Sequence, residues 1–171
     1  MKRVVVLNPK GGSGKTTIAS NLAACYAVHG ERPALMDLDP QASSMRWLRK
    51  RPGDEPAIHG IAAFERSQTV TRSWQMRIPA ECRAVIIDTP AAVDPHALAD
   101  VSRGVDAGLV PVMPSDIDIH ATAKCIADLL LVAKIRRSER RIGIIANRVR
   151  SNTRVSQSLT RFLHSLDIPL I

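Results

Sequence analysis

A chain of 171 residues, 45% hydrophobic and 23% charged, is the size of one domain with a substantial core, and its composition excludes fibrous and wholly disordered classes. The formal net charge of +8 is local. Nine basic residues stand against one acid, Glu139, between Lys134 and His164, while residues 1 to 133 hold 15 basic and 14 acidic side chains. Such an excess fits either a polyanion partner or a solvated basic face. Cys25, Cys82 and Cys125 are far apart and outside any metal-ligand spacing, which argues against a disulfide framework or a zinc site. No apolar run approaches the ~18 residues of a membrane span, and Met1 to Pro9 is too short for a signal-peptide core, so a cytoplasmic protein is expected.

Val4 to Leu7 is a continuous apolar run ended by Asn8-Pro9 and glycines, as a strand buried on both faces would be. Ile18, Leu22, Cys25, Tyr26 and His29 then recur at helical spacing up to Gly30, a helix stop. Ala34-Leu35-Met36 before Asp37 predicts the next strand. Residues 41 to 83 predict one or two helices and a short edge strand. Further strands are expected at Ala84 to Ile87 before Asp88, Ala107 to Val112 before Met113-Pro114, and Ile142 to Ala146 before Asn147. Ala121 to Ile135 reads as a helix with Ile126, Leu129, Leu130 and Ala133 on one face, and Ile168 to Ile171 reads as a closing strand. This alternation predicts an α/β fold of one domain over residues 1–171: a doubly wound, mostly parallel sheet with helices on both faces. The strands' C-terminal ends form the edge where such sheets bind ligands.

Lys10-Gly11-Gly12-Ser13-Gly14-Lys15-Thr16-Thr17 lies between the first strand and the first helix, the context that a phosphate-binding loop requires. Glycines let successive N–H groups face a polyanion, and the helix N-terminus adds unpaired donors and its positive dipole end. Lys15 would neutralise the β- and γ-phosphates, the Thr16 hydroxyl would coordinate Mg²⁺, and Thr17 is available for the α-phosphate. Seven fixed identities give a chance match on the order of 10⁻⁸ per start position. Asp88, after four apolar residues, is placed to hold Mg²⁺ through its water shell. Asn147 is either a turn residue or an adenine contact, since its amide can pair with N6 and N7.

The loop resembles the deviant Walker A motif of the ParA/MinD family of ATPases, KGGxGKTT. Asp37-Leu38-Asp39-Pro40-Gln41 resembles that family's DxDPQ segment, and Val85 to Pro90 resembles its Walker B strand with a DTP ending. The resemblance, strongest to short ParA-type partition and positioning ATPases, implies a P-loop NTPase that hydrolyses ATP with Mg²⁺. It implies that Lys10 reaches across an ATP-sandwich homodimer, that Asp39 orients the attacking water, and that Asp37 supports magnesium or its loop. The alternative for the two aspartates is capping of a helix over Gln41 to Lys50. It implies an adenine contact at Asn147 and a nucleotide-lining loop at Pro114 to Asp118, a loop that would equally N-cap the next helix.

Val155, Leu159, Phe162, Leu163 and Leu166 share one helical face and leave Arg154, Ser158, Arg161 and Ser165 on the other, just after Arg150. With the resemblance, Arg150, Arg154 and Arg161 become candidate contacts for non-specific DNA, giving a nucleoid-associated protein released by a ParB-like or cargo-adaptor activator. A MinD-like membrane-targeted ATPase would need a basic amphipathic C-terminal helix, and a metabolic P-loop relative would need cluster cysteines or a tyrosine cluster. Neither is expected here. The first strand begins near residue 2, so the helix-turn-helix domain of longer ParA proteins is not expected either. The chain stops where family members continue with an adenine-covering loop and closing helices, implying a short member or a truncated one.

Overall fold

The computed structural model describes residues 1–64, 76–91, 93, 100–102, 104–131, 142–150 and 153–166. Six strands form one wholly parallel sheet: β1 (Lys2–Val6), β2 (Pro33–Asp37), β3 (His59–Ala62), β4 (Ala84–Asp88), β5 (Ala107–Val112) and β6 (Ile142–Ala146). Their spatial order is β3-β2-β4-β1-β5-β6. β2 and β4 are buried at every position, which is why they read as unbroken apolar runs. The short edge strand expected within 41 to 83 is β3.

Alternate residues sort onto opposite faces. Val5, Val85, Ile87 and Val110 join a core on one side, and Val6, Leu35 and Ile86 join a core on the other. Helices α1 (Lys15–Val28) and α2 (Ser43–Arg49) cover the Val6 face, through Ala19, Ala23 and Met45. Helices α3 (Asp116–Leu131) and α4 (Arg154–Ser165) lie on the Val5 side, with Cys125 and Leu129 in its main core and Ile126, Leu159 and Leu163 around Val112 and Ile144. The expected doubly wound α/β architecture is therefore observed.

The α1 face differs from the expected one. Beyond Lys15 in its first turn, its buried side chains are small, Ala19, Ala23 and Ala27 with Ser20, whereas Ile18, Leu22 and Tyr26 are only partly buried and Cys25 and His29 are exposed. Small side chains at i, i+4 and i+8 let the helix axis approach the sheet, and the larger residues then pack along its flanks. α2 reaches the sheet edge by a similar device at Gly60 of β3, where a Cβ would sit 2.6 Å from Leu48 Cδ2 and 3.3 Å from Met45 Sδ. α4 follows most of its expected stripe, with Leu159 and Leu163 buried, Phe162 and Leu166 packed beside them and Arg154, Arg161 and Ser165 exposed. But Val155, expected on the apolar face, is exposed in the first turn, and Ser158, expected on the outer one, is half-buried. On the helix expected over Ala121 to Ile135, Ile126 and Leu129 are buried, and the helix starts earlier, at Asp116. The side chain of Leu130, Ala133, the basic residues Lys134, Arg136, Arg137, Arg140 and Arg141, and the closing strand Ile168 to Ile171 lie outside the described residues.

Candidate nucleotide-binding site

The chain leaves β1 through Leu7, whose N–H donates to the Leu109 carbonyl of β5 at 3.0 Å. Asn8, 2% exposed, then fixes the loop to its surroundings. Its amide donates to the Pro111 carbonyl at 2.6 Å and to Thr122 Oγ1 of α3 at 3.3 Å, and its Oδ1 accepts the Lys10 N–H at 2.8 Å. Gly12 and Gly14 adopt left-handed φ of 77° and 95°. Gly14 is the N-cap of α1 and provides no side-chain cap, so the first-turn N–H groups stay available to an anion. A Cβ at Gly14 would collide with the Asn147 side-chain amide.

Lys15 lies in the first turn and is 7% exposed. Its Nζ donates to the Asn8 and Lys10 carbonyls, each at 3.0 Å, and the Lys10 carbonyl also accepts the Ser13 hydroxyl at 3.2 Å. Burial pushes the Lys15 ammonium down from its usual range, while the Asp88 and Asp39 carboxylates pull it back. The loop is thus a closed ring of main chain around one cationic head.

A second set of groups converges from β2, α2 and β4. Parallel register sets Asp37 opposite Asp88 at the ends of adjacent strands. The N-cap of α2 is Ala42, in left-handed conformation at φ 53° and without a side chain able to cap. Asp37 supplies that cap from the strand end: its Oδ2 accepts the Met45 N–H at 3.1 Å and its Oδ1 accepts the Asp39 N–H at 3.0 Å. Asp37 thus makes the capping contact that the sequence offered as one alternative. Burial raises its pKa, and the two N–H donors oppose that rise. Asp39 closes its own turn, with Oδ1 accepting the Gln41 N–H at 2.9 Å and its carbonyl accepting the Ala42 N–H at 2.8 Å.

Asp88 is fully buried. Its Oδ2 accepts the Ser44 hydroxyl of α2 at 2.7 Å, and its Oδ1 is buried without a hydrogen-bond partner among the described residues. Burial raises its pKa, and the Ser44 hydroxyl and then the Thr16 hydroxyl oppose that rise. A buried carboxylate oxygen with no donor costs free energy unless something absent from the polypeptide satisfies it.

Gly11, Gly12, Gly14, Lys15, Thr16 and Thr17 line a cleft of about 290 Å³, which Asp39, Gln41, Ser43, Ala91 and Arg148 complete. Six of the expected phosphate-loop residues and Asp39 therefore share one cavity, while Lys10 and the buried Ser13 are not among its lining and Asp37 and Asp88 are buried at the strand ends. Asn147 stands against the loop: its Nδ2 donates to the Ser13 carbonyl at 2.8 Å and its N–H to the Val112 carbonyl at 2.8 Å. Pro114 to Asp118 N-caps α3, with the Asp118 N–H donating to Ser115 Oγ at 3.1 Å and the Ser115 hydroxyl bonding to the Asp118 carboxylate. Arg150, Arg154 and Arg161 are exposed, and Arg154 starts α4 behind a Thr153 cap that accepts the Ser156 N–H at 3.1 Å.

Ser43 and Ala91 of the cleft lining were not among the expected site residues, nor were Asn8, Ser44 and Arg148. Asn8 carries a weak signal in the sequence, an Asn-Pro pair that reads as a turn and not as a buried anchor. Ser44 carries none, because its partner is 44 positions away. Arg148, in left-handed conformation at φ 54° and lining the cleft, is one step from Asn147, and adjacency to that residue was the available clue. Among the described residues no group of three or more His, Cys, Asp or Glu could hold a metal ion, and no helix is long and apolar enough to cross a membrane.

Residues 4–170 match the CobQ/CobB/MinD/ParA nucleotide binding domain. The chain is 39% identical over 116 residues to the maintenance of carboxysome distribution protein A of Gloeobacter kilaueensis, an alignment covering 68% of this chain and 51% of that protein. The chain thus spans about half the length of that relative. It is 24% identical over 168 residues to the protein of the same name from Halothiobacillus neapolitanus, covering 98% of this chain and 76% of that one. A plasmid partition protein from Borrelia burgdorferi has the same fold, with a TM-score of 0.73 at 15% identity, over 99% of this chain and 89% of that one. A phosphate loop, two facing strand-end aspartates and a family match spanning nearly every residue agree: the chain belongs to the CobQ/CobB/MinD/ParA family of nucleotide-binding domains.

Proposed function

We propose that the chain is a ParA-type positioning ATPase that binds ATP with Mg²⁺, pairs with a second copy of itself around the nucleotide, and hydrolyses ATP when an activating partner engages it. The observation that carries this reading is that Asp39 lines the same cleft as the phosphate-loop residues Lys15 and Thr16. Gly11, Gly12, Ser13, Gly14 and Thr17 would bind the phosphates through main-chain and hydroxyl donors, and Lys15 would exchange its two carbonyl partners for phosphate oxygens. Asn147 would hold the loop from behind while presenting its Oδ1 to adenine. Lys10, half-buried at the loop's entrance, would reach the partner copy's phosphates.

The residues present fit a magnesium ion that arrives with the nucleotide. Asp88 Oδ1 lacks a donor, Thr16 is the helix residue next to Lys15, and no self-sufficient ligand cluster stands among the described residues. When bound, the ion would neutralise charge on the β- and γ-phosphates. Asp37 would serve it indirectly, by holding the Asp39 turn and α2 in place. Asp39 would accept a proton bond from water and aim it at the γ-phosphorus. Replacing Asp39 by Ala should abolish turnover while an ATP-dependent dimer persists in a sizing experiment; undiminished hydrolysis would refute the assignment.

Exposed Arg150, Arg154 and Arg161 support non-specific DNA as the surface on which the dimer is held, with cargo recruited through an adaptor. Their joint replacement by Ala should lower the slope of log affinity against log salt for duplex DNA by up to about three units. Wild-type binding across a salt titration would remove DNA from the proposal.

A further inference from the structure

α2 is seven residues long and its first turn carries two unusual bonds. Asp37 caps it from β2, and Ser44, fully buried in its second position, donates to Asp88 at the end of β4. The same helix follows directly from the Asp39-Pro40-Gln41-Ala42 turn, itself closed by the Asp39 carboxylate and carbonyl. A water-orienting turn and a metal-side carboxylate are thus joined by two hydrogen-bonded side chains and one turn of helix.

Ser44 can donate only one proton, and it goes to Oδ2. That bond fixes the carboxylate plane and leaves Oδ1 as the oxygen without a partner. A buried hydroxyl that spends its proton on a carboxylate otherwise short of donors is the arrangement by which an outer residue orients a ligand.

We propose that Ser44 is a positioning residue: its hydroxyl aims the Asp88 carboxylate at the nucleotide's magnesium and ties that aim to the position of the Asp39 turn. The proposal rests on Asp88 as the metal-side carboxylate. Ser44 touches neither nucleotide nor metal and acts through Asp88. Loss of the hydroxyl frees the carboxylate to rotate, so the metal site loosens while the phosphate loop, whose bonds run through Asn8, Lys10 and Asn147, is untouched.

The test measures binding of an N-methylanthraniloyl ADP by fluorescence, in EDTA and across a Mg²⁺ titration, on the full chain. Ser44→Ala should leave affinity in EDTA within twofold and raise the Mg²⁺ concentration for half-maximal tightening by about tenfold. Ser44→Cys, which keeps volume but donates weakly, should shift the Mg²⁺ response in the same direction. A purely packing role predicts that the cysteine variant responds to Mg²⁺ as the wild type does, and that result overturns the proposal, as does an unchanged response in both variants. Asp88→Asn separates the two levels. If it abolishes the Mg²⁺ response while the Ser44 variants retain it, only the Ser44 role falls; if it retains the response, the metal-side assignment falls and the Ser44 role with it.

Discussion

The two halves of the cleft are built differently. The phosphate side is shaped by local bonds and then anchored from afar: Lys15 bonds to carbonyls five and seven residues back, Ser13 to one three back and Asn8 to an N–H two ahead, while the Asn8 amide donates to Pro111 and Thr122 and the Asn147 amide to Ser13. The other side is assembled from distant pieces, with Asp37 capping a helix whose own N-cap cannot, and Ser44 bonded to a carboxylate 44 positions away. A short loop whose geometry is dictated by its own glycines can be recognised from eight letters. A site held by cross-strand register and one buried hydroxyl cannot.

Substitutions should separate the halves, and the largest effect belongs to the loop. Gly14→Ala puts a side chain at φ 95° and against the Asn147 amide, so nucleotide binding by titration calorimetry should be lost. Retained affinity would mean that the loop is softer than its hydrogen bonds imply. On the other side, Asp37→Ala leaves the Met45 and Asp39 N–H groups without their acceptor, which costs about 1–3 kcal/mol for the buried one. The melting temperature should fall and turnover should drop several-fold, while nucleotide affinity in EDTA stays at the wild-type value; a parallel loss of that affinity would join the two halves into one unit. Least local, and smallest in its effect on the site, is Ala23→Leu in α1, where a larger side chain forces the helix off the sheet at about 1–3 kcal/mol. The loop rides on that helix, so affinity should weaken in step with thermal stability.

Much of the fold was legible because buried parallel strands advertise themselves as apolar runs stopped by Asp, Asn or Pro, as β2, β4 and β6 do. The α1 face was not, since periodicity weighs Ile18, Leu22 and Tyr26 above the alanines that make the close contact. A rule that scores hydrophobicity misses a helix selected for thinness. In the site, Lys15, Thr16 and Asp39 were placed by motif, and the structure adds that they share a cavity. The capping role of Asp37 depends on the poor cap at Ala42, visible only once the left-handed turn is known. The position of Asn147 against Ser13 spans 134 residues, and nothing in its local sequence distinguishes it from a turn residue.

The bonds of Lys15 have a consequence for the nucleotide cycle. The Asn8 and Lys10 carbonyls that accept from the Lys15 ammonium are oxygen acceptors of the kind that phosphate would supply. On the proposed reading, arriving phosphate would substitute one set of oxygen acceptors for another. Recharging would on that reading be a swap at the loop's ring, and control would fall to the Asp39 turn and α2, whose bonds to Asp37 and Asp88 come from two other strands.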